Sequence, residues 1–278
     1  MFARALGLAA LLAASVLTTP VLAQAPATPA PPQRSPAEEA FLGGQSKDCP
    51  KCDLRDANLA RRDLSGANLA GANLRGAQMS EANLAGANLE EATLIEADMS
   101  AASMRQAKLR GAQLHLATLY LTDLTLADMT EVYMENGMMR RARMQRVNLT
   151  GAFLIDSDLQ EIRLGGAILT GANLGGSKLN NANLVDQDLR GVNLEVTDLI
   201  NADLTGANLE GANLRQADLY GANLSEAKLK GADFTEARLQ AANVLGANLH
   251  DAIFKDTMMP DGETFTGKLA PMQQTLPR

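Results

Sequence analysis

A period of five residues governs most of the chain. From Leu54 to Phe254 there are 41 positions spaced by five, of which 31 are Leu, seven Met, two Phe and one Val. Two residues before these positions runs a second row in which 29 of 41 residues are Ala, and Asn or Asp dominates between the two rows. On an α-helix, steps of five would spread the Leu residues around every side, and on a straight strand they would alternate between faces. The apolar residues share one interior only if the chain turns after every five residues.

The pattern therefore predicts a short extended piece followed by a corner. In Ala-Asn-Leu the Ala and Leu side chains point inward and the Asn side chain points outward, and the next two residues form the corner, where Gly relieves the backbone. Repeated corners make a coil, and successive coils stack through ladder hydrogen bonds that satisfy the backbone groups. A repeat this short cannot bury its own apolar face, so stacking is obligatory. The aromatic content of 3% and the absence of Trp fit an interior of many small layers.

Segments such as GANLAGANLRGA and NADLTGANLEGANLRQADL closely resemble the pentapeptide-repeat family, whose motif is A(D/N)LXX with a central Leu. The resemblance covers Cys52 to Phe254. It implies an all-β fold, a right-handed quadrilateral β-helix (a solenoid) with four repeats per coil and about ten coils. At a spacing of ~4.8 Å the column would be roughly 50 Å long. Arg62 and Gln187 depart from the pattern at Ala positions, where unpaired burial is costly, and Arg62 is expected to leave through the open N-terminal end.

The segments outside the repeats predict export. Arg4 precedes an apolar run that is too short to span a bilayer, and Val21-Leu22-Ala23 offers the small residues that a signal peptidase accepts, so cleavage is predicted after Ala23. No transmembrane span is expected after signal cleavage, and the protein is expected to be periplasmic or secreted. The predicted segments are a signal peptide at 1–23, a Pro/Ala-rich linker and lead-in at 24–48, the β-helix at 49–257, and a C-terminal cap and tail at 258–278.

The sequence offers little catalytic chemistry. His115 and His250 each follow a central Leu, so they are expected to face solvent on different sides of the coil, where no catalytic arrangement can be built from them. No enzyme activity, cofactor or metal site is predicted. The net charge of -7 disfavours general affinity for nucleic acid.

The only two cysteines, Cys49 and Cys52, stand in the motif CPKCDL. A C-x-x-C pair is compatible with a redox couple, half of a zinc site or haem attachment. Asp53 occupies the position where haem attachment needs His, and no nearby His or Cys completes a zinc site. Both cysteines are in phase with the inward rows, which favours a structural disulfide that caps the first coil in an oxidising compartment. A thiol-disulfide exchange role is the alternative.

Apolar and basic residues cluster near the middle of the column. Leu116, Leu121 and Leu126 take corner positions of one coil, where most other corners hold Gly, Asp, Glu or Asn. With the outward residues Tyr120, Tyr133 and Phe153 they predict an apolar belt, which is typical of a contact surface for a protein partner or a second copy. Beside the belt, a basic collar is predicted from Arg140, Arg141, Arg143 and Arg146.

Four methionines in the same segment invite a metal-site interpretation. Met129, Met134, Met139 and Met144 are spaced by five and lie in the central row. A copper(I) site would need their sulfurs to converge on a reachable ion. Packing into the core, where flexible Met fills irregular space, is the favoured interpretation.

Three functional hypotheses follow. The first is a non-enzymatic interaction scaffold in the periplasm or envelope, with an unidentified protein partner or a homodimer. The second follows from the family resemblance, because some pentapeptide-repeat proteins are acidic columns that mimic DNA and protect a type II topoisomerase. That role requires a cytoplasmic location, which the predicted signal peptide opposes. The third is thiol-disulfide exchange at Cys49 and Cys52.

Overall fold

The computed structural model describes residues 34–266, which form one short α-helix followed by a right-handed quadrilateral β-helix. The predicted signal peptide, the linker up to residue 33 and the tail from residue 267 lie outside the described residues. Within residues 34–266 no helix is long and apolar enough to cross a membrane. The segment boundaries predicted from the sequence stay predictions.

The coils have a register of twenty residues. The outward residue between the Ala and Leu rows forms a parallel β-bridge with the residue twenty positions later, beginning with Asp53 and Asn73 and ending with Arg238 and Met258. Four repeats therefore make one coil, and the predicted quadrilateral β-helix is confirmed. We number its sides in chain order, so that Asp53 lies on side 1, Asn58 on side 2, Asp63 on side 3 and Asn68 on side 4.

Each corner is a tight turn. In the first coil the carbonyl of Leu54 accepts a hydrogen bond from the N–H of Ala57 at 3.1 Å, and Asp56 between them has φ of +55°. A positive φ at the third residue is the mark of a type II turn, which favours Gly. The outward residue stabilises the next corner, because Asn58 Oδ1 accepts from the N–H of Ala60 at 3.2 Å. This local bond explains why Asn and Asp dominate the outward position.

The Leu and Ala rows form one continuous core. Met129, Met134, Met139 and Met144 are buried in it at 0–1% exposure, in agreement with their interpretation as core residues. Near the C-terminal end, Val244 and Leu249 are only partly buried.

The helix, α1, spans Pro36–Leu42 within the predicted lead-in. Ser35 is its N-cap and forms a capping box with Glu38, Pro36 opens its first turn, and it ends at Gly43. These are ordinary helix-start signals, and they are visible in the sequence Ser35-Pro36-Ala37-Glu38. The interpretation of residues 24–48 as linker and lead-in missed the helix because seven residues are too few for periodicity to register.

Helix α1 covers Arg62. The Arg62 guanidinium donates to the Phe41 carbonyl at 2.8 Å and lies 4.9 Å from the centre of the Phe41 ring, which is fully buried. The expectation that Arg62 leaves through an open end was therefore wrong. Helix α1, which was not predicted from the sequence, closes that end and supplies both a hydrogen-bond acceptor and an aromatic face.

Gln187 remains inside the column and disturbs the ladder. Its side chain is buried, its Nε2 donates to the Ala167 carbonyl at 2.6 Å, and its Oε1 has no partner. In the regular register that carbonyl would accept from the N–H of Asp188. Within residues 34–266 the bridge between Ile168 and Asp188 is absent. Four backbone N–H groups of the lower coil also lack the usual carbonyl of the coil above, those of Leu164, Gly166, Leu169 and Gly171.

The C-terminal end closes with a hairpin-like turn. Met258 and Thr264 form an antiparallel bridge, and the N–H of Gly262 donates to the Met259 carbonyl at 2.9 Å. The Phe265 ring lies 5.6 Å from that of Phe254, against the last core layer.

Candidate functional site

Side 1 carries two exposed aromatic rings at mid-column. Tyr133 and Phe153 are bridged neighbours on successive coils, and their rings stack at 5.3 Å with an interplanar angle of 4°. They are 47% and 41% exposed. Both stand where most repeats hold Asn or Asp, so both give up the side-chain hydrogen bond that stabilises the corner. We call these two residues the aromatic pair.

A recess lies just above the aromatic pair. The corner at Gly175 and Gly176 has no side chains, and this leaves a hollow of about 320 Å³ between the Ile155-Asp156 corner below and the Glu195-Val196 corner above. The side chains of Asn173 and Asn193 complete its wall and join each other through a hydrogen bond of 2.8 Å. The sequence analysis missed this recess, although the doubled glycine was a visible cue.

The three corner leucines do not share one side. Leu116 lies at the corner of sides 1 and 2, Leu121 at the corner of sides 2 and 3, and Leu126 at the corner of sides 3 and 4, with exposures of 51%, 46% and 37%. All three adopt positive φ, +58°, +58° and +63°. A flat partner surface therefore cannot contact the whole predicted belt. Leu116 borders side 1 with the aromatic pair, while Leu121 and Tyr120 turn away from it.

A bulky residue at positive φ is strained by roughly 1–2 kcal/mol relative to the right-handed regions. Each of these three leucines carries this backbone strain and also exposes an apolar side chain to solvent. The same corner position elsewhere also has positive φ, as in Glu131 and Val196, so the exposed apolar side chains of the three leucines, and not their backbone conformation, support a contact role.

The predicted basic collar also divides between sides. Arg140 and Arg141 lie at the corner of sides 2 and 3 and both donate to Glu161, each at 2.7 Å. Hydrogen bonds from Arg141 and Arg140 lower the pKa of the Glu161 carboxyl. Glu161, and then the neighbouring Tyr120 hydroxyl, raise the pKa of Arg141.

The remaining members of the collar lie further around the column. Arg143 stands on side 3, and Arg146 lies at the next corner, between sides 3 and 4. Directly above Arg143, Arg163 occupies the bridged position of the following coil. The predicted basic collar did not include Arg163, because Arg163 lies twenty residues further along the chain than Arg143.

Cys49 and Cys52 form a disulfide in the structure, with their Cα atoms 5.4 Å apart. Both are buried, at 0% and 6% exposure, within the same cluster as Phe41. The pair thus lies inward, in the phase that the two rows predict, while its role as a cap stays a prediction.

The two histidines do not come together in the structure. His115 and His250 lie at different corners, and His250 Nδ1 is 2.7 Å from the carboxylate of its neighbour Asp251. Between residues 34 and 266, no group of three or more His, Cys, Asp or Glu side chains could hold a metal ion. Surface acids instead join arginines along the column, as Glu81 does with Arg61 and Asp218 with Arg238.

A family model for pentapeptide repeats matches the chain eight times, between residues 52 and 256. The chain belongs to the pentapeptide-repeat family. Comparison with curated protein sequences gave no match.

Three solved structures illustrate what this family member is similar to. One is HetL, a pentapeptide repeat protein involved in heterocyst differentiation regulation in the cyanobacterium Nostoc sp. strain PCC 7120, at 27% identity over 84% of this chain and 100% of HetL, with a TM-score of 0.49. Another is QnrB1, a plasmid-mediated fluoroquinolone resistance protein, at 16% identity over 69% of this chain and 86% of QnrB1, with a TM-score of 0.39. A third, from the thylakoid lumen of Arabidopsis thaliana, is 38% identical over 31% of this chain and 57% of its own length, with a TM-score of 0.24.

Proposed function

We propose that this pentapeptide-repeat protein is a non-enzymatic scaffold, exported to the periplasm or envelope, that binds a protein partner on side 1 through the aromatic pair. One observation carries the proposal. Tyr133 and Phe153 stack on each other in the open, in a chain whose aromatic content is only 3%.

The energetics of the aromatic pair favour a contact role. At these two outward positions the repeat would gain a local hydrogen bond from Asn, worth roughly 1 kcal/mol, and the exposed rings recover only part of their apolar burial by stacking. Aromatic side chains are enriched at the centres of protein interfaces because they bury much area at little entropic cost. Leu116 at the same edge and the recess beside Ile155 extend the apolar surface available to a partner.

The first experiment replaces the rings with the residue that the repeat prefers. Tyr133→Asn with Phe153→Asn should keep the fold, because both side chains point outward and Asn restores the corner hydrogen bond. Binding of the partner captured from envelope extract, or self-association measured by sedimentation, should weaken by about tenfold or more, a typical loss for aromatic hot spots.

The matched control is Ile253→Asn, which makes the same kind of change on the same side near the C-terminal end, where Ile253 is 49% exposed. Its association should equal that of the native protein. If the double variant and the control behave alike, or if the native protein neither self-associates nor retains a partner, the aromatic pair is not the binding site.

Export is the second component of the proposal and has its own test. The sequence predicts that the mature protein begins at Gln24, after removal of the segment that contains Arg4. Cell fractionation followed by N-terminal sequencing should find that mature chain in the periplasm or medium. An intact chain in the cytoplasm would remove the export component and revive the DNA-mimic hypothesis.

The other two hypotheses have less support. A DNA mimic needs rows of free negative charge, whereas several surface acids here are held by arginines, as in the pairs of Glu81 with Arg61 and Asp218 with Arg238. A thiol-disulfide exchange role needs an accessible, activated thiol, whereas Cys49 and Cys52 are buried.

A further inference from the structure

The outward position of side 3 places two like charges directly against each other. Arg143 and Arg163 form a parallel bridge, and within residues 34–266 they are the only bridged pair in which both residues are basic. Neighbouring backbones in such a ladder are ~4.8 Å apart, so the two side chains leave the column side by side. Like charges in directly opposed positions are destabilising.

Among residues 34–266 neither arginine has an acidic partner that would offset this repulsion. In the described part of the chain, no ion pair or side-chain hydrogen bond involves Arg143 or Arg163. Below them, Asp123 is bridged to Arg143, but its carboxylate is already engaged by Arg105 at 3.3 Å and by the Thr125 hydroxyl. Above them stands a neutral residue, Asn183.

The surroundings add positive charge and an apolar floor. Leu121, Arg141, Arg143, Glu161 and Arg163 line an open cleft of about 440 Å³, which we call the arginine cleft. Glu161 is the one acid in it, and its carboxylate is shared by Arg141 and Arg140. The cleft thus holds three guanidinium groups and one carboxylate, on a chain whose net charge is -7.

The chemistry that matches such a cleft is that of carboxylates. A guanidinium presents a rigid fork of donors that binds a carboxylate through two parallel hydrogen bonds. We propose that the arginine cleft binds an acidic segment of a protein chain, whose carboxylates pair with Arg143 and Arg163 while a neighbouring apolar side chain rests on Leu121. The 46% exposure of the Leu121 side chain is consistent with that contact.

The arginine cleft lies on side 3 and at its corner with side 2, whereas the aromatic pair lies on side 1, so the two sites share no residue. Arg143→Gln with Arg163→Gln should therefore leave association through Tyr133 and Phe153 unchanged. Failure at one site is distinguishable from failure at the other.

The test uses a fluorescein-labelled tetraglutamate peptide, with binding to the full chain followed by fluorescence anisotropy at low salt. The native protein should bind it, more weakly as salt rises, and Arg143→Gln with Arg163→Gln should lower the association constant by about tenfold or more. The matched control is Arg55→Gln with Arg190→Gln. It removes two exposed arginines that are paired with Asp53 and Asp188, and it should bind the peptide as the native protein does.

Charge reversal gives a second readout that does not depend on a loss alone. Arg143→Glu with Arg163→Glu should abolish tetraglutamate binding and create binding of a labelled tetralysine peptide, with an unchanged circular dichroism spectrum. Equal weakening in the cleft variant and the control, or no binding by the native protein, would overturn the proposal. So would preferential binding of phosphatidylglycerol vesicles or inorganic phosphate through the same arginines, since those anions are not acidic peptides.

Discussion

The N-terminal end of the column and the step between Ile168 and Asp188 both receive a long polar side chain where the repeat places Ala. At the end, Arg62 finds the Phe41 carbonyl and ring that α1 supplies. In the middle, Gln187 finds only one partner, the Ala167 carbonyl, and leaves its own Oε1 unpaired. A polar residue at an Ala position therefore finds partners outside the repeat in the case of Arg62 and disrupts the ladder in the case of Gln187.

The difference teaches that this column accommodates a long polar side chain in its inner row without disturbing the ladder only where chain outside the repeat can reach it. At an end, extra chain can fold over the last coil and provide acceptors. Between two coils, the only acceptors are the ladder carbonyls themselves, so the Gln187 amide competes with the backbone N–H of Asp188. The buried hydroxyl of Thr197 avoids this problem because it is short and donates to the Leu174 carbonyl at 3.1 Å.

The largest effect is expected from Arg62→Ala. It removes a charge-assisted hydrogen bond and a cation–π contact, together worth roughly 2–3 kcal/mol, from the docking of α1. Hydrogen exchange at Phe41–Gly44 and across the first coil should accelerate. Arg61→Ala is the control, because Arg61 forms only an exposed ion pair with Glu81, and its removal should leave exchange in this region close to that of the native protein. Equal exchange in the two variants would mean that Arg62 does not hold the helix.

A somewhat smaller loss is expected from Cys49→Ser with Cys52→Ser. A disulfide that closes so short a loop stabilises by about 2 kcal/mol in the chain-entropy account, and the buried hydroxyls that replace it add a polar cost. The thermal unfolding midpoint should fall, and the native protein in reductant should follow the variant. If neither change alters the midpoint, the disulfide does not cap the first coil.

The smallest change is a gain, from Gln187→Ala. Restoring the residue that the repeat prefers removes the unpaired Oε1 and frees the Ala167 carbonyl for the backbone, which should stabilise the column locally by roughly 1 kcal/mol. Exchange of the Leu169 and Gly171 amides should slow. Thr197→Ala, which removes a satisfied hydroxyl from the same row, should destabilise by a similar amount. Faster exchange in Gln187→Ala would show that the glutamine supports the ladder.

The inward and outward placement of side chains could be predicted from the sequence because it depends on a local rule. A period of five with a corner after each Leu assigns every residue a direction, and it placed the methionines of the 129–144 segment and the two cysteines inside without reference to the rest of the fold. The family resemblance added the four repeats per coil.

What surrounds each outward residue was decided only by the tertiary structure. The belt predicted from Leu116, Leu121 and Leu126 spans three corners because neighbours in sequence turn by one side at every repeat. Residues twenty apart, such as Arg143 and Arg163, become neighbours only when coils stack.

The hydrogen-bond partners of Arg62 and Gln187 could likewise not be predicted from the repeat pattern. A period of five says that Arg62 and Gln187 point inward, and it says nothing of which acceptors lie there. Helix α1 is too short to be recognised by periodicity, and it supplies the partner for Arg62. The sequence thus determined the direction of each side chain through local geometry, and the stacking of coils and the closing helix determined which groups each one meets.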